Sequence, residues 1–130
     1  MKLEVIATCD YVQINKGNNL NIMNAFSLLE CPKLPLVKTY NLVVRFRCSK
    51  EESGSKQVYF KILSPSGKLA FDEICASATI DEAKFEDEYV VFNLNITFNN
   101  YQFTEFGTYH FEVKTDGQVY ELPLTIKQVK

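Results

Sequence analysis

The sequence has little of the chemistry that catalysis usually needs. It contains one histidine, His110, although histidine is the most frequent general base near neutral pH. Its four cysteines, Cys9, Cys31, Cys48 and Cys75, lack the short paired spacing of zinc sites. A Gly-rich phosphate loop and a Gly-x-Ser-x-Gly motif are also missing. We therefore expect a protein that is not an enzyme and has no cofactor.

Long apolar runs and an excess of positive charge are missing too. The 14 Lys and Arg residues are matched by 16 Asp and Glu residues, which disfavours binding to nucleic acid phosphates. No segment has the length of a membrane span, and Met1 is not followed by the apolar stretch of a secretion signal. We expect a cytoplasmic protein with no membrane contact, in which the four thiols stay free.

The scarcity of alanine, with 6 residues, disfavours a helical protein. Val, Ile and Thr supply 27 residues, and Phe and Tyr another 17, so about a third of the chain suits strands. An apolar content of 46% is enough for the core of one domain. We found no internal repeat or linker, and the sequence predicts a single domain over residues 1–130.

Apolar and polar residues alternate in eight segments separated by turn-forming residues. The predicted strands cover residues 2–14, 20–28, 40–48, 58–62, 68–80, 90–98, 109–113 and 120–126. Residues 81–88 are the one predicted short helix or ordered loop. Two one-sided sheets must cover each other's apolar faces, so this pattern predicts an all-β, antiparallel Greek-key β-sandwich, immunoglobulin-like or C2-like, with about eight strands.

Several local features carry their own predictions. The apolar residues Phe71 and Ile74 fall on opposite parities, which predicts a β-bulge between them. Tyr109 follows a Phe-Gly-Thr step and fits a tyrosine corner, in which the hydroxyl binds the preceding backbone; the alternative is an ordinary core aromatic. Cys9 and Cys48 have inward parity, whereas Cys31, between strands, is the predicted reactive thiol.

Part of this pattern resembles a known family. The segment Cys9-Asp10-Tyr11, a turn containing Gly17, and the strand Leu20-Asn21-Ile22 are similar to the start of an uncharacterised family of small bacterial β-sandwich proteins of unknown function. Many of those relatives carry Gly-Gly after this strand, where the present chain has Met23-Asn24-Ala25. The resemblance implies a β-sandwich and assigns no activity.

Three kinds of function remain open. The first is a non-enzymatic binding or protein-interaction domain whose contact residues lie on an outward strand face, namely Met23, Val43, Arg45, Arg47 and Tyr59. A partner protein is then expected, and a homodimer would protect the sheet edges. The alternative is a carbohydrate- or calcium-binding module with an acidic loop, formed by Asp81, Glu82, Glu86, Asp87 and Glu88. A hydrolase is the third and least supported.

Overall fold

The computed structural model describes residues 1–81 and 88–130, which are almost entirely β-strands. In chain order the strands are β1 (Lys2–Ile14), β2 (Leu20–Ala25), β3 (Leu28–Cys31), β4 (Leu36–Ser49), β5 (Gly54–Leu63), β6 (Leu69–Ile80), β7 (Tyr89–Phe103), β8 (Gly107–Thr115) and β9 (Gln118–Gln128). One 3₁₀ turn, Lys50–Glu52, joins β4 to β5. The predicted all-β class is confirmed, with nine strands in the described residues where eight were expected.

The strands form two sheets that pack face to face. One sheet has the order β2-β1-β4-β7 and the other the order β3-β9-β8-β5-β6. The chain crosses between the sheets after β2, β3, β4, β6 and β7, and in this arrangement β4 pairs with β7 while β5 pairs with β8. This Greek-key connection is that of an immunoglobulin-like sandwich.

Aromatic side chains fill the space between the sheets. Tyr40 on β4 is fully buried and stacks on Phe98 and Phe103 at ring-centroid distances of 5.0 and 5.6 Å. Phe111 on β8 meets the Tyr40 ring edge-on from the opposite sheet, at 6.1 Å. Each such side chain contributes roughly 1.5–3 kcal/mol by leaving water, so this cluster is a main source of the fold's stability.

The predicted second strand, 20–28, is wrong, because it is two strands in different sheets. Asn24 adopts a positive φ of 53°, and the side chain of Phe26 packs on the core, so the chain leaves the first sheet there. β3 then pairs with β9 in parallel, whereas the other strand pairs are antiparallel. Asn tolerates this backbone conformation better than other non-glycine residues.

A β-bulge changes the parity of β1. Leu3 lies opposite Phe46 and Val5 lies opposite Arg45, so Glu4 is an extra residue in the ladder. Leu3 and Ile6 consequently pack on the central core, while Ala7 and Cys9 turn to the other face of the sheet. The isolated Ile6, which breaks the alternation in the sequence, is the mark of this bulge.

Two local predictions are confirmed. The ladder between β5 and β6 changes register between Phe71 and Ile74, where the sequence predicts a bulge. The Tyr109 hydroxyl accepts hydrogen bonds from the backbone N–H groups of Thr104 (3.1 Å) and Glu105 (3.0 Å), which is a tyrosine corner. The predicted helix or loop at 81–88 falls mostly outside the described residues.

Candidate interaction surface

The end of β1 and all of β2 form a hairpin, residues 10–25, that extends beyond its pairing with β4. The β1–β4 ladder ends at Cys9 and Asn41, and the Asn41 side chain donates a hydrogen bond to the Asp10 carbonyl at 3.1 Å. At the tip of the hairpin, the carbonyl of Asn18 accepts hydrogen bonds from Arg45 Nη1 (3.3 Å) and Asn93 Nδ2 (3.2 Å). The hairpin tip is thereby tied to β4 and β7.

Arg45 and Asn93 belong to the outer face of the four-stranded sheet, the face that points away from the other sheet. They are directly paired across β4 and β7, and they alternate with Val44 and Leu94, which pack on the core. The hairpin therefore lies over the outer face. Val43, on the same face as Arg45, is 0% exposed, which such a cover explains.

A small second apolar layer follows from this cover. Cys9 and Val43 are fully buried, yet they lie outside the central core cluster. Burial raises the pKa of the Cys9 thiol, and the neighbouring Asp10 charge adds to the increase. The predicted burial of Cys9 is confirmed, but its predicted inward face is wrong, because the bulge at Glu4 turns it to the outer face. Cys48 is buried in the central core, as predicted.

The predicted interaction residues do not form one surface. Val43 is fully buried and has no area to offer a partner, which corrects its assignment as a contact residue. Met23 lies on β2, while Arg45 and Arg47 lie on β4. Tyr59 is on β5, in the other sheet.

The two arginines are already engaged within the protein. Glu4 accepts from both, with Oε1 3.1 Å from Arg45 Nε and Oε2 2.6 Å from Arg47 Nη2. The Arg47 guanidinium also lies 5.5 Å from the centre of the Tyr89 ring. A partner that used these side chains would have to compete with these contacts.

Tyr59 lies opposite Cys75 on the outer face of the five-stranded sheet. Its hydroxyl donates a hydrogen bond to Gln57 Oε1 at 2.7 Å, and the charge of an ionised Cys75 beside it raises the pKa of Tyr59.

Cys75 is exposed, whereas Cys31 is 5% exposed and belongs to β3. The burial of Cys31 argues against its predicted reactivity, and Cys75 is the exposed thiol. All four cysteines are free, as predicted.

His110 lies on the same outer face as Tyr59. It is half-exposed and its Nδ1 contacts a carboxylate oxygen of Glu121. Lys61 and Glu112 form a further ion pair on this face, with 3.7 Å between Nζ and Oε2. These paired charges make the outer face of the five-stranded sheet a solvated polar surface.

A pair of exposed apolar side chains lies on the hairpin. Tyr11 and Met23 are directly opposite each other, and they are 52% and 53% exposed. Val12 and Ile22, which alternate with them along the two strands, are half-buried. The hairpin thus presents the Tyr11–Met23 pair to solvent. Tyr11 was not among the predicted contact residues, because alternation along β1 gives it the same inward parity as Cys9. The irregularity at Ile6, which marks the bulge, was the available signal that this parity changes.

The candidate calcium ligands lie around the segment that is not described. Asp81 and Glu88 flank it, and Glu82, Glu86 and Asp87 fall outside the described residues. Within residues 1–81 and 88–130 no group of three or more His, Cys, Asp or Glu side chains could hold a metal ion. At the same end of the sandwich, the carboxylates of Glu52 and Asp116 both contact the amino group of Met1.

A cleft of about 390 Å³ lies where the β5–β6 turn meets the β7–β8 corner. Its polar groups are largely engaged: the Tyr101 hydroxyl donates to the Ala70 carbonyl at 3.3 Å, and Ser66 Oγ donates to Glu105 Oε2 at 3.2 Å. Burial raises the pKa of Tyr101 to about 12, so its hydroxyl is neutral at physiological pH.

The fold and surface define an immunoglobulin-like β-sandwich with an exposed apolar hairpin. The model of a family of unknown function, DUF6941, matches residues 4–127, and the chain belongs to that family. No curated protein matches this chain. In the parts of the chain that the structure describes, no helix is long and apolar enough to cross a membrane.

Proposed function

We propose that this chain is a non-enzymatic protein-interaction domain that contacts its partner through the Tyr11–Met23 pair. The supporting observation is that these two side chains face each other across the hairpin with about half of each exposed. Tyrosine and methionine are enriched at the centres of protein interfaces, and tyrosine is enriched among the residues that contribute most binding energy.

The anchoring of the hairpin supports the same proposal. Its tip is held by Arg45 and Asn93 through the Asn18 carbonyl, and its base is held by the ion pair between Asp10 and Lys38, with 2.8 Å between Oδ1 and Nζ. A contact surface that is already ordered loses less conformational entropy when a partner binds. The pair is thus presented on a fixed support.

The test compares two double variants of the tagged protein in extracts of its own cells. Tyr11→Ala with Met23→Ala removes the proposed contact. Leu69→Ala with Val119→Ala removes two equally exposed apolar side chains, 52% and 55% exposed, from elsewhere on the surface. We expect a partner that is captured by the wild type and by the second variant, and lost from the first. Matching circular dichroism spectra would show that both variants are folded.

Capture of the same proteins by both variants would contradict the proposal. The alternative, a carbohydrate- or calcium-binding module, has a different signature. A ligand that binds the native state raises the melting temperature, so titration with millimolar calcium and retention on polysaccharide matrices test it separately.

A further inference from the structure

The strand β7 is a long sheet edge without charge. It spans fifteen residues, Tyr89–Phe103, none of which is Asp, Glu, Lys or Arg. Within the described residues β7 pairs only with β4, and no described strand binds the backbone N–H and C=O groups of its other edge. From Tyr89 to Phe98 the β4–β7 ladder has no register shift, which leaves a regular edge of ten residues.

The other three sheet edges carry features that discourage pairing with another chain. β2 has 6 residues and β3 has 4, so both are short. β6 is longer, but it contains Asp72 and Glu73, and its ladder with β5 has two register shifts. Short strands, charges and bulges are the usual protections of exposed edges, and the regular part of β7 has none of them.

We propose that two copies of this chain associate by pairing their β7 strands in antiparallel orientation across a two-fold axis. Self-pairing puts each strand opposite its own sequence, so a charged residue near the axis would face a like charge. β7 contains no such residue. The outward side chains near its centre, Asn93, Asn95 and Thr97, are uncharged. Asn93 and Thr97 already donate hydrogen bonds within the protein, to the Asn18 carbonyl and to Asn41 Oδ1, whereas Asn95 is exposed.

This pairing would join the two four-stranded sheets into one continuous sheet of eight strands. Ten residues of each chain are available for the ladder, and their unpaired backbone groups would gain partners. The inner side chains of β7, such as Phe92 and Ile96, would extend the apolar layer from one copy to the next. A second copy of this chain is thus the partner that we expect to pair with the charge-free edge of β7.

Sedimentation equilibrium of the full chain tests the proposal directly. We expect a mass that rises with concentration from 14.9 kDa to twice that value. A reductant must be present, because the exposed Cys75 could otherwise link two copies by a disulfide. Hydrogen exchange at low and high concentration gives a second measurement, in which amides of β7 become more protected as the dimer forms.

A lysine variant and its control locate the contact. Asn95→Lys puts a charge on the edge that would face its own copy across the two-fold axis, and it leaves the core untouched because Asn95 is exposed. We expect self-association to weaken roughly tenfold or more. Ser77→Lys adds the same charge to an exposed position of β6 and should leave self-association unchanged.

A 14.9 kDa mass at every concentration would overturn the proposal, as would equal self-association of the wild type and the β7 variant. The result is separable from the proposed partner site. The Tyr11→Ala and Met23→Ala variant should dimerise like the wild type, since neither residue belongs to β7 or to its ladder with β4.

Discussion

Removal of the Tyr109 hydroxyl measures how strongly the tyrosine corner holds the β7–β8 connection. Tyr109 is 1% exposed, and its hydroxyl accepts two backbone hydrogen bonds, from Thr104 and Glu105. Tyr109→Phe keeps the ring and leaves two partly buried N–H groups without this acceptor. We expect a loss of about 2 kcal/mol in the free energy of unfolding, because each unsatisfied buried group costs roughly 1–3 kcal/mol and water can reach part of this corner.

Tyr40→Phe is the matched control for Tyr109→Phe, because it removes the hydroxyl of another buried tyrosine. This side chain is 0% exposed, and its hydroxyl has no hydrogen-bond partner within the described residues. Burial raises the pKa of Tyr40 far above its ordinary value, so the hydroxyl stays neutral. Tyr40→Phe removes a polar atom that gains nothing from the fold. We expect the stability to stay the same or to rise by up to about 1 kcal/mol.

Thermal and urea denaturation of the two variants beside the wild type provide the assay. For a chain of 130 residues the unfolding entropy is about 0.27 kcal/mol per kelvin, so the Tyr109→Phe variant should melt about 7 °C lower. The urea slope should be unchanged if both variants unfold in two states. Equal losses in Tyr109→Phe and Tyr40→Phe would refute the reasoning, since the two hydroxyls would then have the same hydrogen-bonding value.

Three further predictions concern the turn, the thiols and the hairpin. Gly107→Ala should lower the free energy of unfolding by more than about 2 kcal/mol, because φ is 122° and the new Cβ would lie 2.8 Å from a proline Cβ. Gly67→Ala has a φ of 83° and open space around the new Cβ, so it should lower the same free energy by about 1 kcal/mol. Urea denaturation measures both values. An aromatic disulfide reagent should react quickly with one thiol of the native protein, that of the exposed Cys75. Rapid reaction of a second thiol would contradict the burial of the other three cysteines. Arg45→Met should speed hydrogen exchange at the hairpin tip, whereas Arg47→Met, which lacks that contact, should not; equal effects would contradict the anchoring.

Local patterns in the sequence were sufficient for most of the fold. Alternation depends on the pleat of a strand, so it located the inward residues of β4 and β7, including Tyr40 and Phe98. A change of parity located the bulge between Phe71 and Ile74. The tyrosine corner was predictable because its residues are close together in the chain, with the acceptor four and five positions from the donors.

The candidate surface was not predictable in the same way, because it depends on contacts between distant residues. The tip of the hairpin meets β4 and β7 through Asn18, Arg45 and Asn93, and alternation contains no information about such contacts. Val43 was therefore placed on an open face that the hairpin covers. Cys31 was expected in a loop for a similar reason, since its parallel pairing with β9 joins residues about a hundred positions apart.

The two proposals together have a consequence that neither has alone. The hairpin strand β2 and the strand β7 are opposite edges of the four-stranded sheet. A dimer formed through β7 would consequently carry two Tyr11–Met23 pairs, one on the hairpin of each copy. Two sites on one rigid body bind a surface that displays many partner copies more tightly than a single soluble copy, because the second contact is intramolecular. The Asn95→Lys variant should therefore lose affinity for an immobilised partner and keep its affinity for the soluble one. Equal affinities for both forms in the wild type would refute this arrangement.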